Sequence, residues 1–266
     1  MEPILFDAHV HFYPQFDLKE AFAHVWRNFA ALSHEMAGPK LLLLAERSDC
    51  RFFEELAVDR LPAGYLLDRL AEGPAVKITS PAEETLFLIA GRQIVSRELL
   101  EVCALACTLY LPDRQYAAAE IVDRVHQAGG VPALNWAPGK WLFSRGKVVG
   151  ALLQRFHPDE LLIGDTTMRP LLWSTPRLMR SAHRSGFHIL AGSDPLPFSG
   201  EEKQIGRYAC RMQTAWQNDR PVASLRAALL NPTSVIERVG RRSSNREFIG
   251  RQWRIMREQK TRGTGA

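Results

Sequence analysis

Short apolar runs alternate with amphipathic helical patterns along most of this chain, and that alternation limits its possible folds more than any other feature. The runs are Ile4–Val10, Lys40–Ala45, Glu101–Thr108, Val131–Asn135, Leu161–Gly164 and His188–Gly192. Between them, apolar residues recur at helical spacing. One stripe runs Leu18, Phe22, Val25, Trp26, Phe29 and Leu32, and another Phe52, Phe53, Leu56 and Ala57. Later stripes are Ala118, Ile121, Val122 and Val125; Val149, Leu152, Leu153 and Phe156; and Leu178, Met179 and Ala182. Ile205, Tyr208, Ala209, Met212 and Trp216 fit a sixth helix, and Asn231-Pro232 through Val239 a last one closed by Gly240. Strand–helix alternation implies parallel strands with helical crossovers. The expectation is an α/β fold: a distorted (β/α)7-8 TIM-like barrel over residues 1–240, with a basic C-terminal tail over 241–266 that can be helical. Leu86–Ile89, Gly91 and Gln93–Val95 read as a bent or paired strand insertion.

The first run ends in Asp7-Ala8-His9-Val10-His11. Side chains alternate faces on a strand, so Asp7, His9 and His11 are expected on one face, where two imidazoles and a carboxylate can begin a divalent-metal site. The structural alternative is a polar strand end with both histidines bonded to backbone. In a barrel, active sites form at the C-terminal ends of the strands, where His9 and His11 fall. His157 and His188 fall at the opposite face, and His24, His34, His126 and His183 lie in helices. Other polar groups at the catalytic ends are Glu46, Arg47, Ser48 and Asp49; Asn135 and Trp136; Asp165, Thr166 and Thr167; and Ser193 and Asp194. Turn or capping chemistry is the alternative for Asp165 and Asp194.

Of 266 residues, 46% are hydrophobic and 24% charged, an ordinary globular balance. No apolar run is long enough to span a membrane and no signal peptide is recognisable, so a cytoplasmic location is expected. Cys50, Cys103, Cys107 and Cys210 form no disulfide pattern. The net charge of +5 is local. Residues 241–266 carry eight Lys/Arg and two acids, leaving the rest of the chain slightly negative. The core therefore offers no nucleic-acid-binding charge, whereas the tail can contact an acidic partner. Ile249, Trp253 and Met256 give the tail an apolar stripe, which can lie on an anionic surface or dock on its own domain.

These motifs resemble the polymerase and histidinol phosphatase (PHP) superfamily, metal-dependent phosphoesterases on a distorted seven-stranded barrel. Phe6-Asp7-Ala8-His9-Val10-His11 resembles its first motif and Leu190-Ala191-Gly192-Ser193-Asp194 its last. Gly129 to Asn135 resembles a segment that normally ends in a histidine ligand, and Ala90 to Ile94 one that normally supplies a glutamate. Here Asn135 and Gln93 stand at those positions, Glu46-Arg47-Ser48-Asp49 stands where an Asp-His pair is usual, and Pro195 follows Asp194 instead of histidine. A three-metal cluster is therefore not expected. The resemblance implies one divalent ion, zinc or manganese, held by His9, His11 and Asp194, with no ion at all as the alternative. Asp165 or Glu46 would act as general base. Arg47, Lys140 and Asn135 would bind a small anionic substrate, with Arg92, Arg145 and Arg169 as further cations able to approach the rim. The expected activity is a PHP-type phosphoesterase. The alternatives are a barrel that has lost catalysis and serves binding or scaffolding, and an amidohydrolase, a group that also opens with His-x-His and ends with an aspartate.

Overall fold

The computed structural model describes residues 1–33 and 38–263, so His34 lies outside the described residues, as do the side chains of Lys260 and Arg262. The chain is a mixed α/β protein with two mixed sheets. The larger sheet contains β1 (Glu2–Val10), β2 (Lys40–Leu44), β3 (Leu66–Arg69), β4 (Ala75–Thr79), β5 (Thr85–Ile89), β11 (Tyr208–Thr214) and β12 (Glu237–Gly240). Its order is β12-β11-β1-β2-β5-β4-β3. The smaller contains β6 (Gly91–Val95), β7 (Glu101–Leu105), β8 (Val131–Asn135), β9 (Leu162–Thr166) and β10 (Ile189–Gly192), in the order β10-β9-β8-β7-β6. Only β1-β2, β2-β5, β8-β9 and β9-β10 pair in parallel. The described strands therefore pair in two mixed sheets with both antiparallel and parallel neighbours, where alternation alone implies parallel strands throughout.

The two sheets meet at two seams, each made possible by a glycine. At one, Asp194 N–H donates to the His9 carbonyl at 2.9 Å. A Cβ on Gly192 would lie 2.3 Å from His9 Cβ, so no larger residue fits there. At the other, Glu46 N–H donates to the Gly91 carbonyl at 3.0 Å and Gln93 N–H to the Glu46 carbonyl at 2.9 Å. A Cβ on Gly91 would lie 2.3 Å from the Leu44 carbonyl oxygen. These close approaches set the ends of β1, β2, β6 and β10 side by side.

Apolar layers follow from the strand period. Phe6, Leu41, Leu43, Phe87, Ala133, Leu162, Leu190 and Met212 fill the interior. The outer face of the larger sheet, through Leu5, Leu42 and Leu44, packs on Phe22, Val25 and Phe29 of α1 (Leu18–Ser33). Each buried phenylalanine contributes roughly 2–3 kcal/mol of hydrophobic stabilisation. The outer face of the smaller sheet packs on α3 (Ala118–Gln127), α4 (Phe143–Arg155) and α5 (Arg177–Arg184), while the single-turn α2 (Phe52–Glu55), which follows β2, adds Phe52 and Phe53 to the cluster on the outer face of the larger sheet.

Two expected helices are strands or turns. The expected sixth helix is β11, antiparallel to β1, pairing Phe6 with Cys210 and Ile4 with Met212. Its inward positions, Tyr208, Cys210 and Met212, alternate at period two, and Tyr208 and Met212 also satisfy a helical period. The last helix before the basic segment is α6 (Pro221–Leu229), which begins with a proline in its first turn. Asn231 instead makes a turn, its side chain accepting from Thr233 N–H at 3.0 Å, and Glu237–Gly240 forms the edge strand β12.

The basic segment forms α7 (Asn245–Gly263). Several of its cations are engaged by the domain. Arg242 donates to carbonyls of Pro170 and Leu171, Arg254 lies 4.5 Å over the Phe198 ring, and Arg251 is buried. Ile249, Trp253 and Met256 are exposed. No described helix is long and apolar enough to cross a membrane. All four cysteines are free and buried.

Candidate metal centre

A register shift in the β1–β2 pairing between Asp7 and Val10 separates the residues that simple alternation would place together. Asp7 turns away from the histidines. It is fully buried, and its carboxylate accepts backbone N–H groups from Ser193 at 2.9 Å, Gly206 at 2.8 Å and His9 at 3.2 Å. Burial raises its pKa to about 6, against the lowering effect of those bonds. Asp7 therefore ties β1 to the segments around β10 and β11, and is not one of the clustered donors.

The shift leaves the imidazoles of His9 and His11 face to edge, with their Nε2 atoms 3.0 Å apart. Asp194, just beyond β10, places Oδ1 3.6 Å from each. The three donors lie within 4.8 Å of one another. Four-coordinate zinc with ligand bonds near 2.0–2.1 Å sets neighbouring donors about 3.3 Å apart. The spacing and the two-imidazole, one-carboxylate donor set fit a divalent ion.

Surrounding groups orient the donors. Thr166 Oγ1 donates to Asp194 Oδ2 at 3.0 Å. Asn135 Nδ2 lies 2.7 Å from His9 Nδ1 and 3.0 Å from Cys103 Sγ. An amide carbonyl in that place would accept from Nδ1–H and leave Nε2 free to ligate. Tyr13 stacks on His11 at 5.3 Å, and burial raises its hydroxyl pKa. His11 Nδ1 is buried without a hydrogen-bond partner. Electrostatics drive the two imidazoles apart. Burial opposes charge on His9, but Cys103, Asp194 and Glu101 outweigh it and lift its pKa to about 10. Burial, helped by the positive charge of His9, pushes His11 down to about 4. Two rings this close cannot both be cationic.

Asp165 and Glu46, the expected general bases, are not in the cluster. Asp165 is fully buried. Oδ1 accepts from Arg169 Nε at 2.7 Å, and Oδ2 receives Arg169, the Tyr208 hydroxyl at 3.0 Å and Arg238 at 3.3 Å. Both oxygens are thus engaged within the domain, by Arg169, Tyr208 and Arg238. Glu46 accepts Phe53 N–H at 2.7 Å and lies 3.8 Å from the Arg92 guanidinium. Burial raises its pKa to about 7.

The expected rim cations divide the same way. Lys140 is held by Glu101, Arg169 by Asp165, and Arg92 by Glu46, Glu54 and the Cys50 carbonyl. Arg145 donates to the Gly139 carbonyl. Arg47 is more open: its side chain is 38% exposed, pairs with exposed Asp49 and lies 6.0 Å over the Tyr13 ring. Asn135 faces His9 rather than the rim. Trp136 and Trp141 are buried, whereas Trp173 is exposed.

Tyr13, Cys103 and Glu101 are additions to the expected set. Tyr13 continues the every-second-residue series after His9 and His11, so its place was open to inspection. Nothing local marks Cys103 or Glu101, which join through the pairing of β7 with β8.

No protein-family model and no curated protein matches the chain. Solved structures do. PsfC from Pseudomonas syringae PB-5123 superposes with a TM-score of 0.57 at 14% identity, covering 91% of this chain and 93% of that one. This chain thus shares its fold along nearly its whole length. The lesion-specific endonuclease PfuEndoQ from Pyrococcus furiosus gives a TM-score of 0.49 at 13% identity, over 90% of this chain and 59% of its own.

Proposed function

We propose that the chain is a metal-dependent hydrolase of the PHP type that cleaves a small anionic ester, such as a phosphate ester. In this reading β1, β2, β6, β7, β8, β9 and β10, joined at the Gly91 and Gly192 seams, act as a distorted seven-stranded barrel whose strand ends hold the site. The observation that carries the reading is the convergence of His9 Nε2, His11 Nε2 and Asp194 Oδ1. When bound there, a divalent zinc or manganese ion supplies Lewis acidity toward an ester oxygen. Arg47 attracts and orients the anionic group, since its side chain is 38% exposed and lies over Tyr13, which stacks on His11. Asn135 and Thr166 fix the His9 ring and the Asp194 carboxylate. Tyr13 shields one face of His11 from water. Glu46, buried just beyond β2, is the carboxylate offered as general base in this reading.

One observation favours the second reading, a barrel that binds without catalysing. Asn135 and Gln93 occupy positions where the family resemblance implies ligands, and Asp165 is closed within ion pairs. Elemental analysis of the purified protein, followed by a screen of phosphate esters and cyclic amides with Mn(II) or Zn(II) added, separates the readings. The phosphoesterase reading expects about one metal equivalent and ester turnover that disappears in His9→Ala. Amide turnover without ester turnover would sink it in favour of an amidohydrolase. No metal after reconstitution would favour the non-catalytic protein.

A further inference from the structure

We propose that Arg251, on the C-terminal helix α7, is a positioning residue that holds Asp194 in place within the ligand cluster. The inference rests on the metal reading above.

Asp194 adopts φ +47, the left-handed region, which is uncommon for a residue other than glycine although aspartate enters it more readily than most. Its peptide is gripped from both sides. On one side Asp194 N–H donates to the His9 carbonyl at 2.9 Å. On the other, its carbonyl accepts from Arg251 NH2 at 2.7 Å. Arg251 NH1 donates to Thr167 Oγ1 at 2.7 Å, and Thr167 in turn donates to the Ser193 carbonyl. One planar guanidinium thus reaches two successive peptides at the turn that aims the carboxylate. The charge is balanced by Glu201, whose Oε2 lies 2.9 Å from Arg251 NH2 and also accepts Leu196 N–H at 3.2 Å. Arg251 is only 4% exposed, and its Nε has no partner, so it is held by its terminal nitrogens alone. The contacts with Glu201 and with Ser243 Oγ, at 3.2 Å, anchor α7, and those with the Asp194 carbonyl and Thr167 fix the backbone that carries a ligand. A lysine, with a single point charge on a flexible stem, can pair with Glu201 but cannot span all these acceptors.

The test uses the full-length protein and Co(II) as probe, titrated well below the melting temperature and followed by calorimetry and visible absorption. Wild type, Arg251→Gln, Arg251→Lys and a core control, Leu152→Ala on α4, are compared. Arg251→Gln is expected to weaken Co(II) binding by roughly 10–100-fold and to alter the visible bands, the usual effect of removing a group that orients a metal ligand. Arg251→Lys should keep most of the thermal stability yet still bind Co(II) more weakly. Leu152→Ala should melt lower but bind Co(II) as wild type does. If Arg251→Gln does not fold, Arg251→Lys decides. Wild-type affinity and spectrum in the folded Arg251 variants would overturn the assignment while leaving the metal site standing. Absence of Co(II) binding by wild type would overturn the metal reading and this inference together.

Discussion

Two buried polar clusters sit at neighbouring strand ends, and they are built in opposite ways. Around Asp165, one carboxylate meets two guanidinium groups and a phenol, and its two oxygens share four hydrogen bonds. Around Asp194, two imidazoles turn their Nε2 atoms toward one carboxylate oxygen, and His11 Nδ1 has no partner. Both clusters are polar, the first centred on the fully buried Asp165 and the second buried except for the partly exposed Asp194, and both lie where the strands of an α/β protein carry chemistry. The difference is saturation. The first is closed on itself and joins β9, β11 and β12. The second leaves three donor atoms converging on one point. Unsatisfied buried groups, rather than buried charge as such, mark the place where an external group fits.

The largest expected effect would break the closed cluster. Asp165→Ala leaves the buried Arg169 guanidinium without its carboxylate and should cost about 3–5 kcal/mol, measured by urea unfolding. Asp194→Asn should shift unfolding by less, ~1 kcal/mol, because its amide oxygen can still accept from Thr166. It should nevertheless weaken Co(II) or Zn(II) binding by more than about 100-fold, beyond the range typical of residues that only orient a ligand. If the two variants lost equal stability and neither changed metal binding, both clusters would be structural and the contrast would fail.

How much of this was legible in sequence depends on the distance over which residues are brought together. Local patterns placed the strands from Ile4, Lys40, Val131 and Leu161, because an apolar run bounded by polar ends reads the same in any context. The same logic misassigned Tyr208–Thr214, whose apolar residues satisfy both periods. What decided it was the partner, β1, and pairing is not written in one strand. His9 and His11 could be seen, and Asp194 with them, because each motif ends a strand. The different role of Asp7 could not, since it follows from a register shift and from three backbone donors, two of them about 190 residues away. Arg251 shows the limit most clearly. Composition marks it as one of many cations in a basic segment, and only the fold turns it inward.

Glu46 sharpens the comparison at intermediate size. Its folded pKa of about 7 lies above the ordinary 4.5, so folding takes up a proton between those values. Ionised Glu46 therefore opposes folding increasingly as pH rises through that window, by on the order of 2–3 kcal/mol once complete. Glu46→Gln keeps an acceptor for Phe53 N–H and removes the penalty. It should match wild type near pH 4 and exceed it by ~1–2 kcal/mol near pH 8, after allowing for the lost pairing with Arg92. Parallel melting curves for the two proteins across that range would mean that Glu46 behaves like the closed Asp165 cluster.

The smallest effect belongs to the exposed anchor of α7. Glu247 accepts two hydrogen bonds from Arg207, both at 2.9 Å, and these, with the Ser244 N–H that caps the helix, lower its pKa to about 2. A depressed carboxylate stabilises the fold above its unfolded value of 4.5, and that contribution fades as pH falls toward about 2. Its side chain is 40% exposed, so solvent screening reduces the gain to ~0.5 kcal/mol. Glu247→Gln should therefore lower the melting temperature slightly near neutrality and leave it unchanged near pH 2, without altering Co(II) affinity. A loss of metal affinity in this variant would show that α7 must be seated along its length, not at Arg251 alone, for Asp194 to hold its place.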